Sequence, residues 1–344
     1  MLYLKPFIFS FLAVCALAPL IYWAAIKFFK WPKRPRDVHL GSIPRWGGVA
    51  LVLAFWLAVL LDKNLVIDKP LWGLLIGSAI ILIFGIWDDL KELSPRIQLI
   101  IQILLALIII GAGVSVDYLR NPFGGEIRLD QFSFLFIIAW IVLIINVVNW
   151  LDGLDGLASG VSVIGFVTIF LLSISSIVNQ PPIGILAIIL VGALLGFLIF
   201  NFPRKKGSII FLGTSGSMFL GFMLGSLSIY SGSKVATAFL VLGVAVLDAI
   251  WVIWQRLKNG VPIWKADQRH LHHRLLQLGL SQRKIVGLYL ALSIAFGAIA
   301  LISGTQGKLL AFLGLCAIMG LLFYGIRNHP EPDASRRYGA SKDQ

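Results

Sequence analysis

Residues 133–160 read SFLFIIAWIVLIINVVNWLDGLDGLASG and change character near their centre. The first part is an almost unbroken apolar run, long enough to cross the roughly 30 Å hydrocarbon core of a bilayer as a helix. Two aspartates, Asp152 and Asp155, and several glycines then appear where such a run should simply continue. A membrane segment that ends in paired carboxylates predicts a functional site at a membrane surface.

The composition of the whole chain agrees with a membrane environment. Hydrophobic residues make up 58% of the 344 residues and charged residues only 13%, whereas soluble domains are about 25% charged. Apolar stretches of about 18 residues or more recur, which predicts an all-α polytopic membrane protein. We predict about eleven transmembrane helices, near 7–28, 46–61, 71–87, 98–114, 133–150, 158–177, 183–200, 215–230, 235–254, 285–303 and 309–326.

The chain is predicted to form one integral membrane domain over residues 1–326. A polar tail, 327–344, is rich in Pro, Ser, Arg and Asp and is predicted to be disordered. Both cysteines, Cys15 and Cys316, lie in apolar runs, so they form no metal or disulfide pattern. The loop 115–132 contains Asn-Pro and Gly-Gly pairs, which indicate a small turn or hairpin.

The distribution of basic residues predicts the orientation in the membrane. When the loops alternate between two sides, 22 of the 29 Lys and Arg residues fall on one side. The positive-inside rule makes that side cytoplasmic and places the N-terminus outside. This bias explains most of the net charge of +13, so no nucleic acid partner is needed. Seven basic residues remain on the outer side: Lys5, Lys63, Lys69, Arg120, Arg128, Lys234 and Lys308.

Two acidic motifs fall on the predicted cytoplasmic side. Asp88 and Asp89 end the third span, where negative charge opposes the helix macrodipole unless a cation is near. Asp152 and Asp155 are three residues apart, so they share one helical face, and Asn149 precedes them. Carboxylate and amide oxygens suit a hard cation such as Mg²⁺. The ordinary alternatives are solvated helix-end carboxylates for the first pair and a helix N-cap for the second.

A third motif joins basic residues to a Gly/Ser-rich helix start on the same side. Lys and Arg at 204–206 precede the stretch 213–217. Backbone N–H groups at the start of a helix favour phosphate. The alternative is an ordinary positively charged loop followed by tight helix packing through small residues.

The histidine cluster at 270–273 is the most specific feature. It holds three of the five histidines and is flanked by Arg269 and Arg274. Imidazole and guanidinium groups together suit a diphosphate. A zinc site or an interfacial polar loop is the alternative, but no cysteine joins the cluster. Asp248 lies inside the ninth predicted span, and an intramembrane carboxylate is a functional candidate unless it only makes a structural hydrogen bond.

These motifs, taken in order, resemble the polyprenyl-phosphate N-acetylhexosamine-1-phosphate transferases of glycosyltransferase family 4. The resemblance covers nearly the whole chain. The His-x-His-His form is similar to the branch that uses donors of the UDP-N-acetylglucosamine type. The matching motifs are GSIPRWGGVA (41–50), DDLKELSP (88–95), NVVNWLDGLDGLASG (146–160), FLGTSGSMFLGF (211–222), LDAIWVIWQR (247–256) and HLHHRLLQLG (270–279).

The resemblance implies a Mg²⁺-dependent exchange at the bacterial plasma membrane, with Mn²⁺ as an alternative ion. A polyprenyl phosphate attacks a UDP-N-acetylhexosamine and UMP leaves, as the first membrane step of cell-envelope glycan synthesis. Phosphoryl transfer needs mainly charge neutralisation and in-line positioning. The sequence leaves open which hexosamine is used and whether a homodimer forms.

Site roles follow the matched positions. Catalytic roles are expected for Asp88, Asp89, Asp152 and Asp155. Metal contacts are expected from Asn149, Asp152 and Thr214. Substrate contacts are expected from Arg45, Asn149, Asp248, Arg269, His270, His272 and His273.

One position departs from the pattern of the family. The fourth motif usually reads Gly-Asp-x-Gly-Ser with the Asp as a Mg²⁺ ligand, and here Thr214 replaces that Asp. A Thr hydroxyl is a neutral and weaker ligand, so the hypothesis is weaker Mg²⁺ affinity with activity kept. Two other functions stay open: a transporter or lipid flippase, and an inactive homologue that binds polyprenyl phosphate or nucleotide. A transporter should show internal repeats and polar groups at the midplane, whereas this sequence shows no such repeat and its polar groups lie mostly at one face.

Overall fold

A computed structural model describes residues 1–29, 31, 43–203, 207–230, 234–262 and 269–327. Helices dominate this part of the chain, as the apolar runs predict. The predicted tail lies outside the described residues apart from Arg327. The α-helices are α1 Leu4–Phe28, α2 Gly47–Leu61, α3 Lys69–Lys91, α4 Pro95–Gly111, α5 Ser133–Leu151, α6 Leu157–Ile174, α7 Pro181–Asn201, α8 Gly213–Ile229, α9 Val235–Val241, α10 Gly243–Lys258, α11 Leu271–Gln277, α12 Gln282–Ile302 and α13 Thr305–Arg327.

Local sequence signals set several helix starts. Asp68 precedes α3 and its carboxylate accepts a hydrogen bond from the Leu71 amide at 2.9 Å. Ser94 caps α4 in the same manner. Proline follows each of these caps, where its missing N–H costs nothing. Each of these helices therefore begins at a residue that the sequence marks.

The predicted count of eleven spans is not confirmed. Among the described residues, seven helices are long and apolar enough to cross a membrane, or eight if α9 and α10 form one span. A helix needs about 20 residues to cross the hydrocarbon core. The apolar helices α2 and α4 have only 15 and 17 residues, and α8 also has 17. Each predicted segment does coincide with a helix. The prediction was therefore wrong about which helices are long enough to cross a membrane, and not about where the helices lie.

The ninth predicted span is broken rather than continuous. Its two parts, α9 and α10, meet at an angle of 75°. The second part begins at Gly243, where a Cβ atom would lie 2.4 Å from Leu315 Cδ2 of α13. A side chain at this position would require the Leu315 side chain to move. The break sets the direction of α10, which carries Asp248.

The helix α8 lies at the centre of the bundle, because every one of its residues is buried. Glycines allow its neighbours to approach: a Cβ at Gly48 of α2 would lie 2.0 Å from Gly216 N, and one at Gly85 of α3 would lie 2.3 Å from Ser215 Cα. Close approach through small residues is the usual packing mode between membrane helices. As a result, the start of α8 is held between α2 and α3.

The predicted hairpin in the 115–132 loop is confirmed. Strand β1, Tyr118–Arg120, pairs antiparallel with β2, Glu126–Arg128. Gly124 and Gly125 in the connecting turn have φ of +110° and +75°. These two short strands are the exception to an otherwise helical fold in the described ranges.

Candidate active site

The carboxylates of Asp88 and Asp89 meet the start of α8. Both residues are buried in the last turn of α3. The Thr214 hydroxyl donates to Asp88 Oδ2 at 2.6 Å, and the Thr214 amide donates to Asp89 Oδ1 at 2.9 Å. The structure therefore joins two motifs that lie more than a hundred residues apart in sequence.

Asp89 occupies the positive end of α8. Its Oδ2 also accepts from the Ser215 amide at 3.5 Å and the Ser215 hydroxyl at 3.4 Å. Free amides at a helix start favour negative charge, which here is a protein carboxylate. This arrangement offsets the unfavourable position of Asp89 at the end of α3. It also means that Asp89, rather than a phosphate, binds the amides of Thr214 and Ser215.

Asp88 has further partners next to α4. Its Oδ1 accepts from the Leu93 amide at 2.9 Å and from the Gln98 side chain at 3.0 Å. One turn further along α4, Gln102 exchanges hydrogen bonds with Asn146 of α5, at 2.6 and 3.4 Å. Sequence reasoning missed both glutamines. Their signal is two amides four residues apart in an apolar helix.

The backbone of Arg45 lies beside Asp89 of this carboxylate pair, and its predicted substrate contact stays a prediction. Its segment pairs with the residues before α8: the Phe211 amide donates to Pro44 O at 2.9 Å, and the Gly47 amide donates to Phe211 O at 3.0 Å. Gly213 has φ of +75°, and a Cβ there would lie 1.9 Å from Arg45 O and 2.8 Å from Asp89 Oδ2. Only glycine fits between Arg45 and Asp89.

The turn after α5 is held by buried polar contacts. Asp155 is 0% exposed, and its two oxygens accept from the Ser208 amide at 3.0 Å and the Ser208 hydroxyl at 2.7 Å. Asn201 Oδ1 accepts from the Gly156 amide at 3.0 Å, and its Nδ2 donates to Ile210 O at 3.1 Å. These contacts tie the aspartate turn to the segment that leads into α8. They give Asp155 a positioning role, and its predicted catalytic role stays a prediction.

Asn149 and Asp152, the other predicted ligands, lie together at the end of α5. Both are half-buried. The Asp152 amide donates to Asn149 O at 3.2 Å as α5 ends. An amide oxygen and a carboxylate one turn apart are therefore both partly accessible at this end of the bundle. Their predicted metal contacts stay predictions.

Asp248 and His270 form a buried pair. Asp248 Oδ2 lies 2.9 Å from His270 Nδ1, and Asp248 Oδ1 accepts from the Leu271 amide at 2.8 Å. The carboxylate thus orients the imidazole and holds the start of α11. This fixes the Nδ1–H tautomer of neutral His270 and leaves Nε2 for another partner. Asp248 was predicted to bind substrate. In the structure, both of its carboxylate oxygens contact other residues of the protein, His270 and Leu271.

His272 connects the imidazole segment to the aspartate turn. A Cβ at Gly153 would lie 2.2 Å from His272 Nε2, so the two segments are in contact. Burial lowers the pKa of His272 well below its usual value, and the neighbouring His273 and His270 lower it further. His272 is therefore a neutral imidazole at pH 7. The His273 ring lies 4.3 Å from that of His272, and Arg269 directly precedes His270.

A zinc site is not supported by this geometry. No group of three His, Cys, Asp or Glu residues within the described ranges could hold a metal ion. The predicted basic residues at 204–206 lie outside those ranges. The remaining site residues all lie at one end of the bundle, because the contacts run from Arg45 through Asp89 and Thr214 to Asp155 and His272.

Comparisons with known proteins identify the family of the chain. Residues 71–232 match the family model described as Glycosyl transferase family 4. The chain is 34% identical over 305 residues to a probable undecaprenyl-phosphate N-acetylglucosaminyl 1-phosphate transferase of Bacillus subtilis, covering 86% of this chain and 83% of the relative. It is 34% identical to the decaprenyl-phosphate N-acetylglucosaminephosphotransferase of Mycolicibacterium smegmatis, covering 84% and 79%.

A relative of lower sequence identity is also a transferase of this kind. The undecaprenyl-phosphate alpha-N-acetylglucosaminyl 1-phosphate transferase of Yersinia pestis is 25% identical, covering 84% of this chain and 81% of the relative. The similarities span most of each sequence rather than one motif. The chain is therefore a multi-pass membrane protein that belongs to glycosyl transferase family 4.

Proposed function

We propose that the protein transfers an N-acetylhexosamine 1-phosphate, with GlcNAc as the expected sugar, from a UDP-sugar to a polyprenyl phosphate such as undecaprenyl phosphate. UMP is the second product. The observation that carries the proposal is the contact between the aspartate turn at Gly153 and the imidazole of His272. This contact joins an acidic and a basic motif at one end of a membrane bundle. The relatives named above act on polyprenyl phosphates, which supports the acceptor.

The reaction exchanges one phosphoanhydride bond for another. An oxygen of the acceptor phosphate attacks the phosphorus that carries the sugar, and the bond from that phosphorus to the UMP oxygen breaks. UMP leaves with the electron pair. The acceptor phosphate is already ionised near neutral pH, so the main task of the protein is to bring two anions together in line.

Basic and polar groups divide the substrate contacts. Arg45 and Arg269 carry fixed positive charge at the site and suit phosphate oxygens. His270, oriented through Asp248, offers Nε2 to a phosphate oxygen when its ring is protonated. Asp88 and Asp89 contact the start of α8 and would act near the acceptor phosphate, as metal-associated groups rather than as a base, because that phosphate is already ionised. His273 is expected to complete the donor contacts.

Mg²⁺, or Mn²⁺ in its place, is proposed as the cofactor. Mg²⁺ keeps several waters and usually takes only one or two protein carboxylates besides substrate phosphates, so the half-buried Asn149 and Asp152 fit it without a larger cluster. The Thr214 hydroxyl donates to Asp88 and keeps lone pairs that could support the ion. When bound, the ion would neutralise phosphate charge in the transition state. The residues present therefore fit a weakly held Mg²⁺ ion.

The site is proposed to face the cytoplasm in the bacterial plasma membrane, with the N-terminus outside. The asymmetry of basic residues supports this orientation. A cytoplasmic site would receive a soluble nucleotide sugar from water and the lipid acceptor from the bilayer. The product would begin cell-envelope glycan synthesis.

The direct test is UMP release by purified protein. The assay contains undecaprenyl phosphate, Mg²⁺ and a panel of UDP-sugars that includes UDP-GlcNAc and its GalNAc epimer. We expect UMP and lipid-linked sugar phosphate from one of these donors, and loss of both in Asp152→Asn. Exchange of labelled UMP into the donor would detect weak turnover. Nucleotide binding without exchange would instead favour an inactive homologue, and lipid translocation without UMP would favour a flippase.

A further inference from the structure

A pair of side-chain amides joins α4 to α5 inside the bundle. Gln102 is 2% exposed, and the other buried residues of α4 are apolar. The Asn146 side chain donates to Gln102 Oε1 at 2.6 Å, and the Gln102 side chain donates back to Asn146 Oδ1 at 3.4 Å. Asn146 Nδ2 also donates to Val142 O at 2.8 Å. Burying an amide among apolar residues is unfavourable unless it is hydrogen-bonded, so this pair fixes how α4 meets α5.

The amide pair lies one helical turn from two proposed metal ligands. Asn146 and Asn149 are three residues apart, so they lie on one face of α5. Asp152 follows where α5 ends, and its amide donates to Asn149 O at 3.2 Å. The backbone between these residues is helical and therefore rigid. A hydrogen bond that fixes Asn146 thus also fixes Asn149 and the start of the aspartate turn.

The same face of α4 contacts the other carboxylate motif. Gln98 lies four residues before Gln102, and its side chain donates to Asp88 Oδ1 at 3.0 Å. One amide of α4 therefore contacts Asp88 of α3, and the next contacts Asn146 of α5. Apolar contacts between α4 and α5 are non-directional and do not define one relative position of the helices. The directional contact is the amide pair.

We propose that Gln102 and Asn146 are positioning residues for the divalent cation. Their amide pair holds Asn149 and Asp152 in place relative to Asp88, while neither amide touches the ion or a substrate. Removal of groups that orient metal ligands commonly lowers metal affinity or activity by roughly 10–100-fold. The inference rests on the proposed function, because the ion is the one proposed to neutralise the substrate phosphates. It assigns control of metal affinity to two residues in the interior of the bundle.

The test measures Mn²⁺ affinity, which does not depend on turnover. Mn²⁺ is titrated into the purified protein, the free ion is followed by electron paramagnetic resonance, and the melting temperature is recorded. Gln102→Leu removes both hydrogen bonds and keeps a side chain of similar size. We expect its dissociation constant for Mn²⁺ to rise about tenfold. In the assay of UMP release, the half-maximal Mg²⁺ concentration should rise by a similar factor, and excess Mg²⁺ should restore the rate.

Ser228→Ala is the matched control. Ser228 of α8 accepts from Trp140 Nε1 of α5 at 2.9 Å, so this substitution also removes a buried hydrogen bond between α5 and a neighbouring helix. In both variants the remaining partner keeps a hydrogen bond to a backbone carbonyl. Trp140 lies six residues before Asn146, farther from the aspartate turn. The control should lower the melting temperature and leave Mn²⁺ affinity unchanged. An equal loss of Mn²⁺ affinity in both variants would show loosened packing and overturn the inference.

Exchanging the two residues provides a test by rescue. Gln102→Asn shortens one side chain by a methylene and Asn146→Gln lengthens the other, so the double variant keeps both amides and their combined length. We expect each single variant to lose Mn²⁺ affinity and the double variant to recover most of it, because residues in contact are not additive. Additive losses would overturn the inference, as would an unchanged Mn²⁺ affinity in Gln102→Leu.

Failure of the proposed function gives a different result. If Mn²⁺ affinity responds to these variants but no UDP-sugar yields UMP, the transferase activity is rejected and the positioning role stands. If the parent releases UMP and the Mn²⁺ affinity of Gln102→Leu equals that of the parent, the function stands and the positioning role is rejected. A parent protein that binds no Mn²⁺ also overturns the positioning role.

Discussion

At the residue scale, Thr214 supplies the neutral hydrogen-bond donors that contact the two carboxylates of Asp88 and Asp89. Its hydroxyl and amide satisfy Asp88 and Asp89 with neutral donors. The family resemblance predicts an Asp at this position, and the structure shows why the chain tolerates a Thr there. The Thr214 hydroxyl lies within hydrogen-bond distance of Asp88. The backbone amide that contacts Asp89 would be present with any residue except proline. Compared with an Asp at this position, Thr214 carries one negative charge fewer and donates its hydroxyl hydrogen to Asp88.

Restoring the carboxylate should change the response to metal. In Thr214→Asp, three carboxylates would lie together, and like charges at short range repel strongly in a buried site. We expect a lower melting temperature without Mg²⁺, a larger gain on adding it, and half-maximal activity at a lower Mg²⁺ concentration. A melting curve across a Mg²⁺ titration measures this. An unchanged midpoint would contradict the hypothesis of weak metal affinity, and Thr214→Ser should behave as the parent.

Besides its proposed role near the acceptor phosphate, Asp89 should contribute to stability. Its carboxylate binds the first amides of α8, and loss of such a cap costs about 1–2 kcal/mol. We expect Asp89→Ala to lower the melting temperature by several degrees. Asp89→Asn should lose less, because its amide oxygen still accepts. Equal losses for the two variants would show that charge rather than capping matters.

Acidification should destabilise the protein through His272. Its pKa is lowered in the folded state, whereas the unfolded value is about 6.5. The unfolded chain therefore binds more protons below about pH 6.5, and the stability from neutral His272 is lost as the pH falls through that range. We expect the melting temperature to fall more between pH 7.5 and pH 5.5 in the parent than in His272→Gln. If the melting temperatures of the two proteins fell equally with pH, His272 would not be a buried, neutral imidazole in the folded protein.

At the scale of the element, close helix packing rather than local propensity positions the site. The start of α8 fits between Gly48 and Gly85 because neither residue carries a side chain. The sequence predicts helices at these positions from hydropathy alone. It does not show which glycines face a neighbouring helix, since that depends on the packing of segments distant in sequence. The break before Gly243 was missed for the same reason.

Added methyl groups test this packing directly. In Gly85→Ala the Cβ would lie 2.3 Å from Ser215 Cα, so α3 or α8 must shift, at a cost of about 1–3 kcal/mol. The carboxylates of Asp88 and Asp89 lie one turn away, so activity should fall as well. Gly314→Ala on α13 is the control, because no heavy atom lies within 4 Å of its added Cβ. Similar melting temperatures for the two variants would rule out the close contact.

At the scale of the whole molecule, the motifs converge as expected, although the eleven-span count behind that expectation is not confirmed. Asp88, the aspartate turn and the histidine cluster were all expected at one face, and the contacts bring them to one end of the bundle. The partners of these residues could not be predicted. Ser208 and Asn201 are ordinary polar residues in the sequence, and only the fold places them against Asp155 and Gly156.

The hydrogen bond between Thr214 and Asp88 spans 126 positions of the chain, with consequences for biogenesis. During synthesis α3 enters the bilayer long before α8 exists, so the nascent protein must keep two carboxylates hydrated at the membrane surface until much later. Polypeptides truncated before Gly213 would lack the donors that Thr214 and Ser215 offer to Asp88 and Asp89. Quality-control proteases that recognise exposed polar groups in membranes would then be able to distinguish such incomplete chains from the finished protein.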